Sequence, residues 1–306
     1  MTTTILQPGE IEPSVTEPPF ARSPGPRQFE QRAARFRALA KGHPLESFLA
    51  FMGDLADAQQ SALEHFPAVP LPSPERLQLC REHRMPPLAA QGFERHPGWR
   101  EALNRIAASI EEQAPAAARA VLQALRKAEP AVLEAVADRV LSGALQSEDT
   151  AVAPFIGAAL QVYWLHMAGP LKASQLTRLD VPNLCPACGS PPVASVVRTG
   201  SAEQSLRYLH CSLCSTEWNM VRIKCTRCDS TKGIAYYNIE GTKGAVKAES
   251  CGECNSYLKI LYMEHDHRVE PTADDLATLA LDLLMDKSGL VRSGPNLLLV
   301  PGMGPG

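Results

Sequence analysis

Four Cys-x-x-Cys pairs crowd into one stretch of this chain: Cys185/Cys188, Cys211/Cys214, Cys225/Cys228 and Cys251/Cys254. Moving the first two pairs on by 40 residues lands them on the last two. Each half reads C-x2-C-x22-C-x2-C, and ten residues separate the halves. The pattern implies one metal-binding unit duplicated in tandem. A Cys-x-x-Cys turn aims two sulfurs at one point, and two such turns make a tetrahedral cage. Each unit spans only about 30 residues with little apolar surface, too small to fold on burial alone, so a bound ion supplies the missing stability.

Which pairs share an ion is a matter of spacing. The equal 22-residue spacers are simplest if each unit closes itself, first pair with second and third with fourth. A cross-braced arrangement, first with third and second with fourth, uses the same donors. Four thiolates leave no open coordination position, which argues against hydrolytic catalysis at these ions. The cage accepts zinc or iron, and the residues by themselves favour zinc. Iron there could carry an electron; zinc could not.

The rest of the chain divides around this stretch. Residues 1–25 are rich in Pro, Thr and Glu without apolar periodicity and are expected to be a disordered tail. Residues 26–181 form a helical domain. Phe29, Ala33, Phe36 and Ala40 share one face, and Leu45 to Leu63 continue the pattern after the Gly42-His43-Pro44 break. Pro67–Pro74 reads as a loop, and helices are expected near 97–112, 115–127, 130–142 and 150–168. Alanine is abundant and β-branched runs are few, which favours a bundle with short connections.

Residues 182–221 and 222–262 are the two four-cysteine lobes. In the first, strands at Pro192–Arg198 and Leu206–His210 flank a turn at Thr199-Gly200-Ser201. In the second, Ile234–Ile239 and Ala245–Glu249 flank Glu240-Gly241-Thr242. Each lobe is therefore a hairpin that brings two Cys-x-x-Cys turns together. A strand over Tyr257–Tyr262 follows. Residues 263–306 hold a helix opened by Pro271 and capped by Thr272 with Asp275 as acidic partner. Its expected buried face is Leu276, Leu279, Ala280, Leu283 and Leu284. A last strand is expected at Asn296–Val300. The fold class is thus multi-domain, α plus small β.

Charge and motifs narrow the function. The net charge is −3, and no run of 18 apolar residues or basic-then-apolar start suggests a membrane span or signal peptide. That places the protein in the cytoplasm, where reduced thiols favour metal over disulfide. Between Cys185 and Cys254 eight Lys/Arg face six Asp/Glu, so eight thiolates and two divalent ions leave that region near −2, a poor match for phosphate. Arg222, Lys224 and Arg227 read as a solvated linker face rather than an anion site. His265 and His267 read as solvated, His166 as a core residue, and His210 as a neighbour of a ligand cysteine. Cys80, 105 residues before the first pair, reads as a buried apolar-like residue. No Gly-rich phosphate loop, nucleophile elbow or H-E-x-x-H is present, and the chain reads as a non-enzyme.

The order of motifs resembles the FdhE family of formate dehydrogenase accessory proteins. The resemblance rests on Tyr163-Trp164-Leu165-His166 in the helical half and Cys185-Pro186-Ala187-Cys188-Gly189. It continues with Cys211-x-x-Cys214-x-x-Glu217-Trp218, Arg222-x-x-Cys225-x-x-Cys228 and Cys251-x-x-Cys254-x-x-Tyr257-Leu258-Lys259, and closes with Asp274–Asp282. It implies a cytoplasmic bacterial assembly factor for respiratory formate dehydrogenase, contacting the catalytic subunit before export by the twin-arginine route. It also implies rubredoxin-like lobes associated with iron, all eight paired cysteines being ligands, with zinc as a substitute. Cys80 matches no family position. Two readings of other classes remain beside it: a rubredoxin-like electron-transfer or thiol-redox protein, and a zinc-ribbon nucleic-acid binder.

Overall fold

Segments with an apolar face become helices where the periodicity places them. The computed structural model describes residues 19–299, apart from 93, 201–203 and 243. Residues 1–18 of the expected tail, Ser201 of the first turn, and Val300 with the Gly/Pro end lie outside the described residues. A two-residue strand, β1 (Ala21–Arg22), precedes α1 (Gln28–Ala40), α2 (Glu46–Glu64), α3 (Pro74–Glu82), α4 (Gly98–Ile110), α5 (Ala116–Lys127), α6 (Pro130–Ser142) and α7 (Ala153–Ala168). Helix α3 was hidden by the proline cluster that signals a loop. Pro74 in fact opens it, a place where the missing N–H is not needed, and the Ser73 hydroxyl accepts from Arg76 N at 3.3 Å.

Helices α1 and α2 form an antiparallel pair, and α2, α4 and α6 pack around α7. Fourteen of the sixteen residues of α7 are buried, so it is the central helix of the bundle. Its aromatic motif is core: Trp164 Nε1 donates to the Leu88 carbonyl at 2.8 Å, and Tyr163 Oη accepts from His96 N at 3.3 Å. His166 lies 4.8 Å from the Phe66 ring, and burial lowers its pKa.

The second half contains β2 (Pro192–Val197), β3 (Arg207–Cys211), β4 (Glu217–Asn219), β5 (Ile234–Tyr237), β6 (Val246–Cys251), β7 (Ser256–Tyr262), α8 (Pro271–Ala277), α9 (Leu279–Lys287) and β8 (Val291–Arg292). The two expected hairpins, β2–β3 and β5–β6, are both present. They belong to one sheet ordered β1-β4-β3-β2-β7-β6-β5, with β8 also paired to β7. The lobes are joined by the parallel pairing of β2 with β7, in register Ser195↔Ile260. At the far edge Ala21 pairs with Trp218, so residues 21–22 of the segment read as a tail sit in the sheet.

The C-terminal helix differs from its expected form. Glu270, not Thr272, is its cap, and Glu270 Oε2 accepts from Ala273 N at 2.7 Å. The helix also breaks at Thr278 and restarts as α9. Lys259 Nζ, fully buried, takes the carbonyls of Asp275 and Thr278 at 2.8 and 3.1 Å, satisfying backbone groups at the break. The break shifts the helical phase: Leu281 and Met285 face inward, while Leu283 and Leu284 are exposed. No strand forms over 296–299. The Asn296 side chain accepts from Leu298 N at 3.1 Å and donates to Asp275 at 2.8 Å, which favours a turn.

Helix α8 is clamped to α1 by ion pairs. Arg35 grips Asp274 through two nitrogens at 2.6 and 2.8 Å and Asp266 through a third at 2.8 Å. Burial works against the Asp266 carboxylate, but the Arg268 backbone N–H and the Arg35 guanidinium outweigh it and hold its pKa at about 2. A depressed folded pKa contributes stability above the unfolded value, near 4, that is lost as pH falls through the folded one. The stability gap between the wild-type chain and Asp266→Asn is therefore full above about pH 4 and closes toward pH 2. Urea midpoints for both proteins across that range check this.

Candidate metal centres

Each cluster is built by two tight turns whose geometry repeats at the 40-residue offset. In the first turn Cys185 N donates to Ser190 O at 2.9 Å; its counterpart Cys225 N donates to Ser230 O at 2.8 Å. Gly189 and Asp229 both take positive φ, 74° and 63°, and so do Ser215 and Asn255, at 58° and 51°. These left-handed positions turn the chain back just after each second cysteine. Backbone N–H groups point at the sulfurs: Leu213 N and Cys214 N each lie 3.4 Å from Cys211 Sγ, and Arg227 N lies 3.3 Å from Cys225 Sγ.

The result is two groups of four sulfurs. Cys185, Cys188, Cys211 and Cys214 bring all four Sγ atoms within 4.8 Å of one another, as do Cys225, Cys228, Cys251 and Cys254. The pairing is sequential, not cross-braced. Facing sulfurs are 3.4 and 3.5 Å apart in the first cluster and 3.6 and 3.7 Å in the second. These separations exclude disulfides, whose bond is near 2.05 Å. They sit close to the edges of about 3.8 Å that a tetrahedron with bonds of about 2.3 Å requires. The donor sets thus fit an ion that prefers four soft ligands.

Charge points the same way. Burial pushes the Cys185 and Cys211 thiols well above their usual range. Burial also opposes the Cys188 thiolate, yet hydrogen bonds from the other three sulfurs outweigh it and hold Cys188 well below. Four thiolates in that buried space need a cation among them. In the second cluster burial is weaker. Cys254 is lowered to about 7, the Ser256 hydroxyl and neighbouring sulfurs overcoming desolvation.

Residues outside the cysteine pattern hold the first cluster in place. Gln161 Nε2, on α7, donates to the carbonyl of Ser212 inside the Cys211–Cys214 turn at 2.8 Å. Its Oε1 accepts from Arg32 Nη1 at 3.1 Å and Gln59 Nε2 at 3.0 Å, and Arg32 Nε donates to Glu270 at 3.0 Å. Leu88 N and Ala90 N donate to the Ala187 and Cys188 carbonyls at 2.9 and 2.8 Å. A lone glutamine on an apolar helix was the available signal for Gln161. The left-handed positions were legible as the Gly, Asp, Ser and Asn after the cysteines. His210 pairs its Nδ1 with Glu217 at 3.3 Å. His265 and His267 are exposed in the turn after β7, and Cys80 is buried on α3 outside both clusters. Lys224 pairs with Asp229, while Arg222 and Arg227 are exposed. A groove of about 760 Å³ opens beside the first cluster, between the end of α6, Cys188–Pro191 and residues 292–299.

Three family models cover the chain: "FdhE, N-terminal" over residues 18–180, "FdhE, central domain" over 184–222 and "FdhE, C-terminal domain" over 223–299. The chain belongs to the FdhE family. A protein FdhE homolog of Pseudomonas aeruginosa is 43% identical over 307 residues, covering 99% of each chain. A homolog from Edwardsiella ictaluri is 45% identical over 277 residues, 90% of this chain and 89% of that protein. The crystal structure of the FdhE protein from Pseudomonas aeruginosa superposes with a TM-score of 0.85 at 41% identity, covering 93% of this chain and 100% of that one. Among the described residues of this FdhE-family chain, no helix is long and apolar enough to cross a membrane.

Replacing Gln161 by Leu keeps the volume but leaves the Ser212 carbonyl and Arg32 Nη1 without their buried partner, while Arg32 Nε keeps Glu270. The expected cost is about 1–3 kcal/mol. Guanidinium unfolding of the variant against the wild-type chain measures it.

Proposed function

We propose that this chain is a non-enzymatic accessory factor for the assembly of respiratory formate dehydrogenase. It binds the catalytic subunit in the cytoplasm and holds it until its cofactors are in place, before twin-arginine export. The observation that carries the reading is the match to FdhE models over nearly the whole chain, with both tetra-cysteine clusters intact. In this reading Cys185, Cys188, Cys211 and Cys214 hold one ion and Cys225, Cys228, Cys251 and Cys254 a second, iron in the cell, with zinc as a substitute. A closed cage of four thiolates supplies rigidity and, with iron, a one-electron couple.

The chain's own residues supply the rest of the mechanism. Helices α1, α2 and α7 fix the first cluster through Arg32, Gln59 and Gln161. Strand β7 fixes the second lobe to α8 and α9 through Lys259, whose ammonium lies against Asp275 and Asp282 at 3.1 and 2.5 Å. A client held by either half therefore meets surfaces that do not move independently, which suits a holding factor. None of this needs a nucleophile or an acid–base pair.

The test is co-purification of the tagged chain with the catalytic subunit of a molybdenum-dependent formate dehydrogenase, with ions counted in the same samples. The wild-type chain is expected to carry two ions and retain the subunit. Cys185→Ser with Cys188→Ser is expected to carry one ion and lose most of the subunit. Two ions in that variant contradict the ligand assignment, and a wild-type chain that retains no subunit contradicts the client.

A further inference from the structure

The two clusters are copies in sequence spacing but not in surroundings. All four cysteines of the first are buried, none above 1% exposed. In the second, Cys225 and Cys251 are buried, Cys254 is half-buried and Cys228 is exposed. Three of the four residue pairs inside the turns differ in the same sense, Pro186 and Thr226 both being buried. Ala187 and Leu213 are fully buried; their counterparts at the 40-residue offset, Arg227 and Glu253, are charged and exposed. Ser212 is buried and Gly252 is exposed.

Anchoring follows the same division. The first cluster's turns are bonded to three separate places in the helical half: Leu88 N, Ala90 N and Gln161 Nε2. Its cysteines also belong to the main apolar core. Among the described residues, the backbone of the second cluster's turns is bonded to its own lobe and to Val291 N, which reaches Asn255 O at 2.8 Å. Cys228 lies exposed among the described residues.

We propose that the second cluster is an exchange site, giving up and regaining its ion to a thiol ligand across the exposed Cys228–Cys254 side, while the first cluster is a fixed structural site. The inference rests on the ligand assignment above. The chemistry is ligand substitution with no change in oxidation state. An incoming thiol binds the ion through sulfur and releases its proton, the bond between the ion and Cys228 breaks, and the Cys228 sulfur takes up a proton. Repetition at Cys254 brings in a second thiol and leaves the ion held by the two buried sulfurs, Cys225 and Cys251; two further thiols displace these in the same way, each cysteine sulfur taking up the proton its replacement releases. Access decides the rate, because an entering thiolate must reach the ion while the leaving sulfur needs room to swing away. The groove of about 760 Å³ runs past Cys188, but the first four cysteines stay at most 1% exposed, so an entering thiol meets covered sulfurs there. Occupancy of the second lobe can then follow the supply of thiol-bound metal without unfolding the helical half.

The experiment uses the full chain carrying two ions. It is mixed with glutathione over a range of concentrations in the presence of EDTA, and samples are quenched with N-ethylmaleimide. Peptide mass spectrometry then reads which cysteines have become free. Cys225, Cys228, Cys251 and Cys254 are expected to label as one set, about tenfold sooner than the first four, at a rate that rises with glutathione. The ion count passes through one per chain. Equal labelling rates for both sets, or earlier labelling of the first, overturn the inference alone. So does a rate independent of glutathione, which would mean that the lobe opens by itself. A chain that cannot be loaded with any ion overturns the ligand assignment and this inference together.

Discussion

Sulfur atoms packed four to a group are the constraint from which the C-terminal half takes its shape. Thiolates repel one another, and buried ones pay a desolvation cost, so two groups of four within 4.8 Å are held only against opposing electrostatics. A tetrahedral ion bound there would convert that repulsion into a tie that holds each lobe. The hairpins are short, and the turns after each cysteine require left-handed backbone at residues such as Ser215 and Asp229 that only modestly favour it. Local propensity alone does not close such units; an ion in each group, as proposed, would account for why they close the same way twice.

The second level of organisation is a buried polar relay that connects the first cluster to the helices. Ser212, Gln161, Arg32 and Glu270 form a continuous chain of hydrogen bonds from a cysteine turn through α7 and α1 to the cap of α8. Every member is buried, so geometry is specified sharply: a shift in any one strands a partner without a bond. Helix α8 in turn meets both α1 and β2. The helical half and the sheet are thereby one mechanical unit around the first cluster, while the second cluster lies at the open end of the sheet.

Periodicity and spacing carried much of this architecture. The faces of α1 and α2, the positions of α4 to α7 and both hairpins were readable from the sequence. The tetra-cysteine groups were readable because 22-residue spacers repeat. Long-range pairing was not. Nothing local marks β2 and β7 as parallel neighbours, or Ala21 as the partner of Trp218. Lys259 was equally opaque, since a lysine on an expected strand normally faces solvent and here is buried to satisfy the break at Thr278. Misplacing the face of α9 followed directly from missing that break. The inequality of the clusters, by contrast, is written in the turns themselves, as Ala187 against Arg227 and Leu213 against Glu253.

The central claim is that both sulfur groups enclose an ion. X-ray absorption at the metal edge of the intact protein tests it most directly, since the fine structure counts the atoms bound to each ion. The account predicts a single shell of four sulfurs at about 2.3 Å with two ions per chain. A shell of oxygen or nitrogen atoms, or protein whose sulfurs are joined as disulfides with no ion present, would contradict it.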